Sequence, residues 1–202
     1  MTHLRLNLKT IKPALVNLIV GSLKVGQTIV LPTDTIYGLS CLANHSRAIK
    51  KVQRLKKRAP QKPLIVLVKG LAQLKKYVFV SRVQAEFLKK AWAPSARPTT
   101  VILKHRGRLP KELSGLSDGL AVRLPKSEFL LKIIKKADCP LVSTSLNLSG
   151  RESIHDLRHL LNYFPQKGRR PDLVIDAGKC RRQKPSRLID LRDETHPIIL
   201  RK

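Results

Sequence analysis

Small hydroxyls, amides and cations gather in four segments of the chain: "LPTDTIYGLSC" (31–41), "LKKRAPQKPLIVLV" (55–68), "LAVRLP" (120–125) and "PLVSTSLNLSG" (140–150). Lys56, Arg58 and Lys62 offer positive charge suited to phosphates. Ser143, Thr144, Ser145 and Asn147 offer hydrogen bonds without bulk. Each segment begins or ends a predicted strand, and strand ends are where open α/β sheets bind ligands. Taken singly, "PTDT" is a good turn and "STSLNLSG" is a plausible capped helix start. Taken together, the four supply what a nucleotide and a small anion need.

Three other patterns fail on their chemistry. "GSLKVGQT" (21–28) nearly spells a phosphate-binding P-loop, but Gln27 stands where the lysine belongs. Its glycines also end a predicted helix and lead into a strand, the reverse of the P-loop order, so a helix C-cap is the better reading. "HDLRH" (155–159) imitates a zinc motif, yet Asp156 replaces the required Glu and no third ligand is evident. No GxSxG turn is present to anchor a serine hydrolase triad.

The elements that must position the four segments follow from periodicity and punctuation. "IKPALVNLIVGSLKVG" reads as a helix with proline in its first turn and Gly26 near its end. "SRAIKKVQRLKK" places Ile49, Val52 and Leu55 on one stripe, with Ser46 as N-cap. "GLAQLKKY", "SRVQAEFLKKAW", "SEFLLKIIKKA" and "SIHDLRHLLNYF" read as further helices. "TIVLP", "LIVLV", "TTVILK", "LAVRLP", "PLVST", "DLVIDAG", "SRLIDLR" and "PIILR" read as strands. The pattern predicts a single α/β domain over 1–202, a twisted mixed sheet with covering helices.

The cation run before "LIVLV" divides by helical geometry. Lys56 falls two turns after Ile49, on the apolar side, whereas Lys50, Arg54 and Lys57 face water. A lysine on an inner face needs an anion or a wet cleft for its amine. Lys56 and Arg58 are therefore expected at the site, and Lys57 in solvent.

Charge is the compositional outlier. Forty-one Lys and Arg against thirteen Asp and Glu give +28 over 202 residues, spread through runs such as "KKVQRLKKR", "KHRGRLPK", "KGRR" and "KCRRQK". Such a chain attracts polyanions without a specific site, and composition alone leaves open whether that is function or compositional habit. Eight aromatics make a stacking platform for single strands a poor fit. The longest aliphatic run, "LIVLV", is far short of a membrane span, and "MTHLRLNLKT" has no secretory character, so no membrane partner is expected. Cys41, Cys139 and Cys180 form neither a CxxC pair nor a disulfide framework, which suits a cytoplasmic protein.

The four segments together resemble the threonylcarbamoyl-AMP synthase family, the YrdC-like or TsaC proteins. The family's PT(D/E)T-x-YG, K-x-R with a following Pro-Leu strand, AVR and S-T-S-x-N-x-S-G all occur here in order, over about residues 10–192, in the manner of the short, single-domain form. The resemblance implies a YrdC-like fold and a reaction in which L-threonine, bicarbonate and ATP give threonylcarbamoyl-AMP and pyrophosphate. A transferase partner would then modify an adenosine of tRNA, with which this chain's own contact would be weak or indirect. Mg²⁺ is implied with ATP, with no protein metal ligands and no tightly bound cofactor. Lys56, Arg58, Ser145 and Asn147 would be catalytic. Lys56, Arg58, Lys62, Ser145, Asn147 and Ser153 would bind ATP. Thr35, Tyr37, Arg123, Ser143 and Ser186 would bind L-threonine. Leu67 stands where some relatives carry a threonine-contacting histidine, Ala59 stands where the family usually has proline, and "WAPSARPTT" lengthens a turn. The competing reading is an RNA-binding or ribosome-associated protein on the same fold that lacks catalysis.

Overall fold

The computed structural model describes residues 1–8, 10–59, 61–115, 117–180 and 185–202. In chain order the elements begin with β1 (Thr2–Arg5), α1 (Pro13–Lys24), β2 (Ile29–Pro32), β3 (Tyr37–Leu42) and α2 (Ser46–Leu55). Next come β4 (Val66–Leu67), α3 (Leu71–Leu74), α4 (Arg82–Ala91), β5 (Thr99–Lys104), β6 (Gly119–Arg123) and α5 (Glu128–Ala137). The chain closes with β7 (Leu141–Ser145), α6 (Leu160–Tyr163), β8 (Leu173–Asp176), β9 (Arg187–Asp190) and β10 (Ile198–Arg201).

Among the described residues the ten strands form one mixed sheet in the order β1-β8-β2-β3-β7-β4-β6-β5-β9-β10. Successive strand side chains point to opposite faces, and both faces here are apolar. Val30, Val142 and Val174 enter a core shared with Ile49, Val52 and Leu55 of α2 and Leu88 of α4. Their neighbours Ile29, Leu31, Leu141 and Ile175 enter a second core, shared with Ile19 and Leu23 of α1 and Phe129 and Ile133 of α5. The result is a helix–sheet–helix sandwich whose strand ends stay accessible.

The near-P-loop is a helix terminus. Gly26 takes φ +80°, Gly26 N donates to Leu23 O, and Gln27 N donates to Ser22 O, the paired bonds of a Schellman cap. Three local expectations are corrected. Ser46 is the first helical residue rather than the N-cap, and its hydroxyl donates to Glu112 Oε1 at 2.7 Å. The "LIVLV" strand narrows to Val66–Leu67, although Leu64 N and Val68 N still bond to Leu113 O and Arg123 O. "SIHDLRHLLNYF" is not one helix but a 3₁₀ turn at Leu157–His159 followed by the short α6. Its start is drawn away because Ile154 N bonds to Leu146 O, and Asp156 Oδ1 accepts from Arg158 N and competes with the helical ladder. Two strands lacked a sequence signal: β1, and β3 with its internal Gly38 and Ser40. In the "KCRRQK" run, Arg181, Arg182 and Lys184 lie outside the described residues.

Candidate active site

A cleft of about 230 Å³ opens where β2, β3, β4, β6, β7 and the last two strands converge. It brings together Thr35, Tyr37, Arg58, Arg123, Ser143, Ser145, Ser153 and Ser186, residues up to 151 positions apart in the sequence. Lys56, Lys62 and Asn147 do not line it.

The floor is set by strand pairing. Gly38 lies opposite Ser145, and Ser40 opposite Ser143, across the β3–β7 ladder. Ser40 Oγ donates to Ser143 Oγ at 3.2 Å. A β-carbon on Gly38 would lie 2.3 Å from Ser143 Oγ and 3.0 Å from Thr33 Cγ2, so the glycine keeps this corner open. The β2–β3 turn is prearranged by Thr33, whose Oγ1 accepts from Thr35 N (3.1 Å) and Ile36 N (3.2 Å) and donates to Ile36 O (2.5 Å). Tyr37 is fully buried at one wall. Its hydroxyl donates to Gly178 O (2.6 Å) and accepts from Ala177 N (2.9 Å), and burial raises its pKa.

The opposite wall is electropositive. Arg123 is buried, and its Nη2 donates to Asp34 Oδ2 at 2.5 Å, an oxygen that also accepts Lys126 N at 3.1 Å. Its Nε is buried with no hydrogen-bond partner. Arg201, from β10, donates through Nε to Ser186 O (2.9 Å) and through Nη2 to Ser186 Oγ (3.3 Å). Burial, then the charges of Arg123 and Arg97, lower the Arg201 pKa. Asp34 is the one carboxylate among the described residues lining the cleft. Arg58 braces the loop into β4 by donating to Lys62 O (3.3 Å) and Pro63 O (2.7 Å). Burial lowers its pKa, but a guanidinium stays charged at any working pH.

Lys56 and Arg58 are separated by a second Schellman cap. Lys57 N donates to Arg54 O and Arg58 N to Gln53 O, with Lys57 in the left-handed region at φ +48°. This turn sends Lys57 into solvent, Arg58 to the cleft and Lys56 inward, where it is 1% exposed. The Lys56 ammonium does not reach the cleft. It donates to Ser145 O, to Asn147 O at 3.0 Å and to Asn147 Oδ1 at 2.5 Å. Asn147 Oδ1 also accepts from Ser145 Oγ at 2.8 Å, and Ser149 N donates to Lys56 O at 2.8 Å. Lys56 thus clips the loop after β7 from beneath. Burial, and then the charge of Arg58, push its pKa down to about 7, while three oxygen acceptors favour the ammonium, which alone has three N–H groups. Lys62 is exposed on the loop before β4.

Sequence reasoning missed Asp34, Arg201 and the scaffold role of Thr33. Asp34 and Thr33 stood inside "PTDT", where a turn explains them adequately. Arg201 had no local motif and is brought in by the β9–β10 pairing alone.

A mixed sheet carrying a hydroxyl- and arginine-lined cleft at its strand ends defines a YrdC-like α/β protein. Residues 22–202 match the family described as "Telomere recombination", which groups the Sua5, YciO and YrdC proteins, and the chain belongs to that family. It is 32% identical to the threonylcarbamoyl-AMP synthase of Pyrococcus abyssi, over 90% of this chain and 52% of that protein. The structure of P. abyssi Sua5 complexed with L-threonine superposes with a TM-score of 0.84 at 30% identity, over 99% of this chain and 56% of that one. Escherichia coli YciO superposes at 0.83 and 26% identity, over 100% of this chain and 94% of that one. The chain spans about half the length of the P. abyssi synthase that it matches.

Proposed function

We propose that the chain is an L-threonylcarbamoyladenylate synthase, as the names of its relatives suggest. The observation that carries this reading is the buried Arg123, whose Nε has no partner, lining a cleft of amino-acid size together with four serines, Ser143, Ser145, Ser153 and Ser186. The threonine carboxylate would take the free side of Arg123, a bidentate task for a guanidinium. Thr35, Ser143 and Ser186 would fix the amino acid, with Tyr37 as a wall.

In the proposed reaction the threonine amine and bicarbonate form a carbamate and release water. A carbamate oxygen attacks the α-phosphorus of ATP, and pyrophosphate leaves with the electrons of the broken P–O bond. Such a transfer needs charge neutralisation and in-line placement rather than a protein nucleophile. Arg58, Ser145 and Ser153 would provide both, with Lys62 as a loop cation that a triphosphate draws in. Lys56 and Asn147 act by holding Ser145 in place. The cleft is too small for a whole nucleotide. The nucleoside would pass Ser153 into the adjoining cavity of about 860 Å³, whose lining shares that residue. Among the described residues no three His, Cys, Asp or Glu side chains gather to hold a metal, and Asp34 is tied to Arg123. Mg²⁺ fits as part of the MgATP substrate, held by phosphates and water. The product would pass to a threonylcarbamoyl transferase acting on tRNA, in the cytoplasm. No helix among the described residues is long and apolar enough to cross a membrane.

The test is pyrophosphate release with each substrate withheld in turn. Release that needs ATP, L-threonine and bicarbonate together supports the synthase. Release without threonine overturns it. No release under any condition, with RNA binding intact, favours the non-catalytic RNA-binding reading, which the +28 charge and the caged Lys56 amine support.

A further inference from the structure

We propose that the outer edge of β10 pairs with the same edge of a second copy of this chain, antiparallel about a two-fold axis, so that two sheets join into one. This pairing stands apart from the synthase reading. The two edges of the sheet differ in kind, and the charges along β10 run in a self-complementary order.

β1 and β10 are the outermost strands, each paired on one side alone. β1 is guarded in the way soluble sheets guard their edges. Thr2, His3 and Arg5 are polar, and the one apolar residue of the strand, Leu4, packs on the core beside α1. β10 is not guarded so. Ile198, Ile199 and Leu200 are 58%, 51% and 53% exposed, and nowhere else among the described residues do three exposed large hydrophobics stand in succession. Alternate strand residues face opposite sides, so apolar surface lies on both faces of this edge. Leu200 is the extra residue of a bulge and has no partner on β9. An apolar edge with free backbone groups is a template for another strand.

Charge selects the occupant. Where β10 starts, Ile198 borders a depression of about 300 Å³ lined by Asp118, Asp190 and Asp193 with Lys104, Arg192 and His196. Arg192 answers Asp118 and Asp190. Asp193 meets Thr195 and His196, and Glu194 meets Ser81. Neither acid has a lysine or arginine partner among the described residues, on a chain of charge +28. The other end of β10 carries Arg201 and the exposed Lys202, with Arg187 beside them at the start of β9. Antiparallel pairing sets the basic end of each copy against the acidic end of the other, twice over, as an isologous two-fold contact requires. Parallel pairing would set like charges together. Two copies of charge +28 repel at long range, but physiological salt screens charges more than about 8 Å apart and spares pairs in contact. A four-residue edge buries less than a standard interface of about 1,600 Å², so the dimer is weak and depends on concentration.

The test is sedimentation equilibrium across a wide range of protein concentration at about 0.15 M salt, where wild type should exchange between monomer and dimer. Ile199→Lys puts a cation on the edge and should abolish the dimer, with the melting temperature of the dilute protein unchanged. Lys202→Glu and Asp193→Lys should each weaken the dimer about tenfold or more. The two changes in one chain should restore it to within about threefold of wild type, because the exchanged charges meet again. Amide exchange in Ile198–Arg201 should slow as wild-type concentration rises, and should not in Ile199→Lys. A monomer at every concentration overturns the proposal. So does a dimer that Ile199→Lys leaves intact, or a loss in both charge variants that their combination does not repair. Growth past the dimer into ever longer species also overturns it, since a two-fold contact closes on itself.

Discussion

The ammonium of Lys56 and the side-chain oxygen of Asn147 meet at 2.5 Å beneath the loop that carries Ser145. Discharging this amine leaves two N–H groups for three oxygens. The folded pKa, about 7, is depressed below the ordinary 10.5. Between those values the unfolded chain holds a proton that the folded chain lacks, so this group's contribution to stability rises with pH across that window and is flat below it. Urea unfolding of wild type and Lys56→Met should therefore diverge in favour of wild type as pH rises above 7. Turnover should fall over the same window as the loop loses a bond. A turnover profile that is flat between about pH 6 and 9 would detach Lys56 from the loop's function. Lys56→Met should also cost about 2–4 kcal/mol at neutral pH, because several buried oxygens lose their donor.

Lys57 holds a backbone conformation that glycine adopts without penalty. Lys57→Gly should raise stability by about 0.5–1 kcal/mol, the left-handed strain relieved less the added freedom of the unfolded chain. The melting temperature should rise by about 1–4 °C, with pyrophosphate release unchanged. A drop in stability would mean that the Lys57 side chain contributes more than its backbone costs.

Gly38→Ala places a methyl within 2.3 Å of Ser143 Oγ. The expected result is loss of about 1–3 kcal/mol together with most of the activity, because the corner of the cleft closes. Adding Ser143→Ala should recover part of the stability and none of the activity. Full stability in the single variant would show that β3 and β7 can separate at this point.

Asp34 orients Arg123 and should act through it. Asp34→Ala should raise the KM for the amino acid at least about tenfold and leave the KM for ATP within about twofold. Asp34→Glu should restore part of the loss. A change confined to kcat would place Asp34 at the reacting phosphate instead.

Much of this was legible before the fold was seen, for identifiable reasons. The stripe Ile49–Val52–Leu55 foretold an inward Lys56 and a solvated Lys57, and both lie so. Strands with two apolar faces read clearly because every residue is buried. β3 did not, since Gly38 and Ser40 break its apolar run for the sake of the cleft. The destination of the Lys56 amine was also hidden. Helical geometry gives the side a residue faces, but the oxygens that receive it come from a loop about 90 positions later. Arg201 shows the same limit, because its place follows from strand pairing at long range.

The cleft draws on Thr33 near one end of the sequence and Arg201 near the other. During translation the first of these residues emerges about 10–30 seconds before the last, at common elongation rates. A nascent chain would thus expose the Arg123 fork while β10 is still inside the ribosome. The binding surface is complete only once β10 has left the ribosome and paired with β9, so ligand capture would report on chains that have emerged past Arg201.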